Sequence, residues 1–210
     1  MAMFVEQFSW TVNRSQKESS QQILQMLCHY MDSSGGLIRA LSGEDLNNPD
    51  SLTCLSFWKS WDDLSRFLVS HKSACLDEIS KQQAAGKVKP HHFEAIWHWP
   101  GEITDDLNHQ SCFAVHDFSA DEGKMDILFD SLRHAVPRLQ SHKGFHSASL
   151  WVDKNNSGHA VMATRWSESS PDDSIIDAVV LVATVKAKVT EAHRKVFKLH
   201  NHIPRLVSTG

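Results

Sequence analysis

At 210 residues, the chain is long enough for one large domain or for two units of about 100 residues each. With 41% hydrophobic and 22% charged residues it can bury a sizeable interior, which excludes disorder beyond its ends. A net charge of −4 without any Lys/Arg-rich cluster argues against a nucleic-acid surface, and the longest apolar run, 178–183, is far too short for a membrane span.

The chain opens on an alternating strand at residues 3–10, with no basic or long apolar leader before it, so no signal peptide is expected. Ser19-Ser20 can cap a helix whose apolar stripe is Ile23, Met26, Leu27, Tyr30 and Met31, and Gly35-Gly36 ends it. Residues 37–41 read as a second strand, Asn47-Asn48-Pro49-Asp50 as a turn and 52–58 as a third strand. From Asp62 a helix carries Leu64, Phe67, Leu68, His71, Cys75 and Leu76 on one face and breaks near Gly86. Residues 93–99 make a fourth strand, stopped by Pro100-Gly101. The order is β-α-β-β-α-β, the ferredoxin-like unit.

After a polar linker at 101–110 the same order begins again. Residues 112–118 are a strand, and Met125, Leu128, Leu132, Ala135 and Leu139 stripe a helix whose last turn Pro137 kinks. Residues 144–152 and 158–166 form a hairpin across Asp153-Lys154-Asn155-Asn156-Ser157. Ser170-Pro171-Asp172-Asp173 starts a second helix. Its apolar positions recur every three or four residues from Ile175 to Ile203, and this spacing outweighs the strand reading that the β-branched content of 178–189 allows. Pro204 then ends the helix and leaves 205–209 for a short closing strand. Two units result, 1–100 and 111–210, and each Trp-ended strand, at Trp58 and Trp166, repeats the other.

The passage Phe57-Trp58-Lys59-Ser60-Trp61-Asp62-Asp63-Leu64, followed by Phe67, His71 and Ser73, resembles the strand-to-helix passage of antibiotic-biosynthesis-monooxygenase-like proteins of the dimeric α+β barrel superfamily. Trp166-Ser167-Glu168-Ser169 looks like its second-copy equivalent, with Gly144-Phe145 in the place of that family's Pro-Gly-Phe. The resemblance implies two ferredoxin-like α+β units forming one barrel within a single chain, a monomeric pseudo-dimer or a homodimer of such chains. It implies cofactor-independent monooxygenases, haem-degrading enzymes or haem proteins as relatives. The helical His71 has no second-copy counterpart, which favours the first copy or the shared cavity for any activity.

Strand alternation sets Phe93, Ala95, Trp97 and Trp99 on one face and Glu94, Ile96 and His98 on the other. Glu94 and His98, about 13 Å apart at the strand rise, are therefore the candidate pair for proton abstraction from an aromatic substrate, or else plain rim residues. His71 is the candidate haem ligand, or a hydrogen-bonded core histidine. His116, His146 and Arg165 can reach the same cavity, with Arg165 holding an anionic oxygen, although one residue of register reverses their facing. Trp58 and Trp97 can hold a flat ligand or fill a core. Most other histidines, His91-His92 among them, read as solvated, and no metal-binding spacing is present. Cys28, Cys54, Cys75 and Cys112 are isolated, as in a reduced cytoplasmic chain.

The expectation is a tandem barrel that binds a small aromatic molecule, with monooxygenase-like chemistry and no resident cofactor. A haem-binding protein and a non-catalytic ligand-binding or assembly module are the alternatives.

Overall fold

The computed structural model describes residues 3–12, 15, 17–70, 90–104, 111–121, 123–167 and 173–203, without the side chains of 21, 24, 25, 28, 29, 173 and 198–203. The elements in chain order are β1 (Met3–Thr11), α1 (Lys17–Ser33), β2 (Leu37–Asp45), β3 (Ser51–Trp58), α2 (Trp61–Ser70) and β4 (His91–Trp99). They continue as β5 (Cys112–Ser119), α3 (Met125–Ala135), β6 (Phe145–Asp153), β7 (Asn156–Trp166), α4 (Asp173–Ala187) and β8 (Glu191–Ile203). The β-α-β-β-α-β order is present twice.

By backbone contacts, one compact unit holds Met1–His92 with Leu199–Gly210 and the other holds Phe93–Lys198. In unit one the strands lie in the order β1-β3-β2, all antiparallel neighbours. One face of this sheet, through Phe4, Phe8, Trp10, Leu52, Cys54 and Trp58, packs on Ile23, Leu27 and Met31 of α1 and on Leu64 and Phe67 of α2. The fourfold spacing of the α1 residues gives that helix one buried line, and Met26 and Tyr30 on its flank stay exposed. Ser60 caps α2: its Oγ accepts the Asp63 N–H at 3.1 Å and donates to the Asp63 carboxylate at 2.7 Å.

In unit two the order is β8-β5-β7-β6-β4. Ala114, Phe118, Ala148, Leu150, Ala160, Met162 and Trp166 face α3 and α4 in its core. Pro137 ends α3 at Ala135, and residues Val136–Ser141 continue as a tighter 3-10 helix.

Two expectations are corrected. The helix that begins at Asp173 does not run to Ile203. Lys188 adopts φ 50°, and the Val189 N–H closes back on the Thr184 carbonyl at 3.1 Å, which stops α4 after Ala187. Residues 191–198 then pair with β5, so Val196 and Phe197 belong to strand alternation and their helical spacing is coincidental. The expected strand at 205–209 lies outside the described residues, and β8 supplies the fourth strand of the second copy.

The second correction concerns β4. Its pairing with β6 shifts register between Ala95 and Trp97, because Ile96 is an extra residue in the strand. Phe93 and Ala95 therefore face one way, with Trp151 and Asp153, whereas Trp97 and Trp99 face the helix-side core. The strand is aromatic on both faces.

Candidate functional site

The same bulge separates the pair expected to carry proton transfer. Glu94 is opposite Val152, which packs against the helix-side core, and His98 is opposite Ser149, on the other face. Glu94 is 43% exposed and 3.9 Å from Lys154, and His98 is exposed. Trp58 is wholly buried, stacked on Phe67 at 5.2 Å, with its indole N–H on Ser56 Oγ at 2.9 Å. That is a core position with no surface left for a ligand. Trp97 packs on the unit-two core, His116 is buried on the helix side and stacked on Phe118, and His146 is exposed. Arg165 is buried on the face opposite the helices, between Phe113 and Ser147 on its neighbouring strands. His71 lies outside the described residues. The predicted residues are thus divided among both faces and the surface.

The described geometry gathers instead around His159, on the face of unit two that carries Asp117, Trp151, Asp153 and Phe93. His159 Nδ1 is 3.0 Å from Asp153 Oδ2, and its Nε2 is 3.5 Å from Asp117 Oδ1. Asp153 is itself positioned by the hairpin: its other oxygen, Oδ1, accepts the Asn155 N–H at 2.8 Å. A neutral imidazole has one N–H, so two carboxylates facing two ring nitrogens favour the doubly protonated ring. Asp117 does most to raise the His159 pKa above its ordinary value, burial opposes it, and Asp153 adds to the rise. The Phe93 ring lies 5.5 Å from the imidazole and 6.1 Å from Trp151, an aromatic wall beside the acid-base group. His159 and Asp117 retain 15% and 24% side-chain exposure, enough for a proton to be exchanged.

Unit one carries a different cluster. Glu6 and His92 are both buried, with His92 Nε2 3.4 Å from Glu6 Oε1 and the edge of Trp61 against the imidazole at 5.9 Å. Ser56, which accepts the Trp58 indole N–H, is 3.5 Å from the other Glu6 oxygen. His92 is therefore a buried residue beside Glu6 and not a solvated one. Neither cluster was legible in the sequence, because Asp117 and His159, and likewise Glu6 and His92, are far apart in the chain and meet only in the fold. The one local signal for Asp153 was the Asp-x-Asn-Asn turn at 153–156, which repeats the turn at 45–48.

The comparisons bear on the scaffold. No family model matches this sequence, and neither does any curated protein. Solved structures match along nearly the whole chain. An anthrone oxidase-like protein has a TM-score of 0.74 at 12% identity, covering 98% of this chain and 94% of that one. A "Putative monooxygenase" from Fusobacterium nucleatum has a TM-score of 0.73 at 10% identity, covering 97% and 95%. A "Putative Chlorite dismutase" has a TM-score of 0.59 at 9% identity, covering 96% of each. At such identities the likeness speaks for fold alone: this chain has the fold of the dimeric α+β barrel proteins, with both ferredoxin-like units carried in one polypeptide.

Proposed function

We propose that this protein binds a small aromatic molecule and moves a proton between that molecule and His159, as a cofactor-independent, monooxygenase-like enzyme does. The observation that carries the reading is the imidazole held between Asp153 and Asp117 beside Phe93 and Trp151. In its neutral form His159 keeps the Nδ1–H on Asp153 and presents Nε2 as the base. The proton of a phenol or activated C–H passes to Nε2, and the two carboxylates hold the imidazolium that results. The phenolate or enolate left behind is electron-rich enough to react with dioxygen. The likeness to an anthrone oxidase-like protein supports an aromatic substrate class. Cys54 and Cys112 are buried cysteines of the kind a reducing cell interior keeps as thiols, and no helix among the described residues is long and apolar enough to cross a membrane.

Oxygen uptake measured over a panel of anthrone-like and polyphenolic compounds tests the proposal. We expect His159→Gln to lower kcat/KM by about 100-fold or more, the scale of a lost general base. Glu94→Gln and His98→Ala serve as comparisons and retain activity. Because the neutral base is needed, kcat/KM rises with pH through the raised pKa, and Asp117→Asn moves that inflection down toward 6.5. A Soret band on adding haem that disappears in His71→Ala, together with an unaffected His159→Gln, would replace this reading with haem binding.

A further inference from the structure

We propose that the aromatic ligand of the His159 site is a meta-diphenol, one hydroxyl of which meets His159 while the other is held by Asp117. The assignment rests on His159 acting as the base. In that state donors and acceptors in the site do not match. With its one N–H on Asp153, the neutral imidazole turns the Nε2 lone pair toward Asp117 Oδ1, 3.5 Å away. Two acceptors then face each other with no hydrogen between them. Asp117 is only 24% exposed, and among the described residues His159 is its one partner. His193, opposite Asp117 on β8, is exposed and makes no bond to it. The base-competent site therefore leaves a largely buried carboxylate without a donor, a cost that a ligand bringing two donors removes.

A single phenol has one hydrogen to give and serves one of the two acceptors. In a meta-diphenol both O–H bonds can point the same way, side by side, so that one donates to Nε2 and the other to Oδ1 across the 3.5 Å between them. In an ortho-diphenol one hydroxyl turns toward the oxygen beside it, and in a para-diphenol the two point to opposite ends of the ring. When the first proton passes to Nε2, its electron pair stays on the phenolic oxygen. The second hydroxyl keeps its proton and its charge-assisted bond to Asp117. The ligand ring rests against Phe93, whose own ring is 5.5 Å from the imidazole and 6.1 Å from that of Trp151. Asp117 thus selects the substrate, because an analogue without the second hydroxyl leaves its carboxylate unmatched.

NMR titration of the full chain under argon, in buffer basic enough to keep His159 neutral, tests ligand class apart from turnover. The probes are resorcinol, catechol, hydroquinone and the monomethyl ether of resorcinol, which keeps the ring and one hydroxyl. We expect resorcinol to bind about tenfold or more tightly than each of the others, the scale of one hydrogen bond to a charged group. Asp117→Ala, with unchanged circular dichroism, should bring resorcinol and its methyl ether within about twofold of each other, a coupling that a general weakening of the fold does not produce. Asp117→Asn, which keeps the shape and one acceptor, should retain part of the difference. A wild-type chain that binds resorcinol no better than its methyl ether overturns the proposal. So does a chain that binds none of the four, or an Asp117→Ala chain that keeps the discrimination. Selective binding of resorcinol with no oxygen uptake in air supports the ligand class and overturns only the oxidation.

Discussion

A buried indole N–H on a strand needs an acceptor on the same face, and the nearest same-face position is two residues away. This chain meets that need in the same manner three times: Trp58 on Ser56, Trp151 on Ser149 and Trp166 on Thr164, at 2.8 to 2.9 Å. Ser149 also donates to the Trp97 carbonyl at 3.0 Å, next to the β4 bulge. Of the two Trp residues that first suggested a ligand pocket, Trp58 belongs to this set, and the hydroxyl two positions back is the reason its indole can be buried. Ser56→Ala or Thr164→Val should each lower stability by about 1–3 kcal/mol in urea titration, since an indole N–H is left without a partner. His159 behaves differently. Its folded-state pKa is raised, so its contribution to stability is fully present below pH 6.5 and is lost as pH rises through the raised value. His159→Gln should therefore flatten the pH dependence of Tm in that window, and a wild-type profile that the substitution leaves unchanged would contradict the pairing.

At the scale of elements, two backbone positions decide which way side chains face. Ile96 interrupts the period of β4, which is why Glu94 and His98, sharing a face by simple alternation, do not share one in the fold. Nothing local marks this bulge, since Ile is an ordinary strand residue. Lys188 ends α4 in the left-handed region, at a position where Gly is the usual residue, and the three-and-four apolar spacing that runs on past it concealed the stop. Lys188→Gly should raise stability by about 1 kcal/mol, measured by thermal melting, because it removes the Cβ crowding of that conformation. The end of α3 was more legible, because Pro137 acts through its own chemistry.

Across the whole molecule, one shift of 108 residues relates the copies from β1 to the end of β3 without a gap. The carbonyls of Gly36 and Gly144 accept the N–H of the residue after each strand-ending Trp, at 2.9 and 2.8 Å. Asp45 and Asp153 accept from Asn47 and Asn155, and the Val12 and Ala120 N–H groups donate to the Asp50 and Gly158 carbonyls. Both glycines have φ above +70°, and a Cβ on Gly36 would run into the Asp63 side chain. Gly36→Ala should thus destabilise the chain by more than about 1 kcal/mol. The duplicated scaffold also permits a transplant. Asp45 already stands where Asp153 does, while Ser9 and Ser51 occupy the places of Asp117 and His159. Ser9→Asp combined with Ser51→His should create in unit one an imidazole that titrates above 6.5 by NMR and falls back with Asp45→Asn.

The sequence by itself determined the twice-written β-α-β-β-α-β order, because apolar periodicity and the Gly, Asn, Pro and Trp punctuation act within a few residues of the chain. Only the tertiary structure decided which acid meets which base. Asp117, Asp153 and His159 are brought together by strand register, and Glu94 and His98 are separated by one bulged residue. Register depends on long-range pairing, and an error of one residue in it turns a side chain from one face of the sheet to the other.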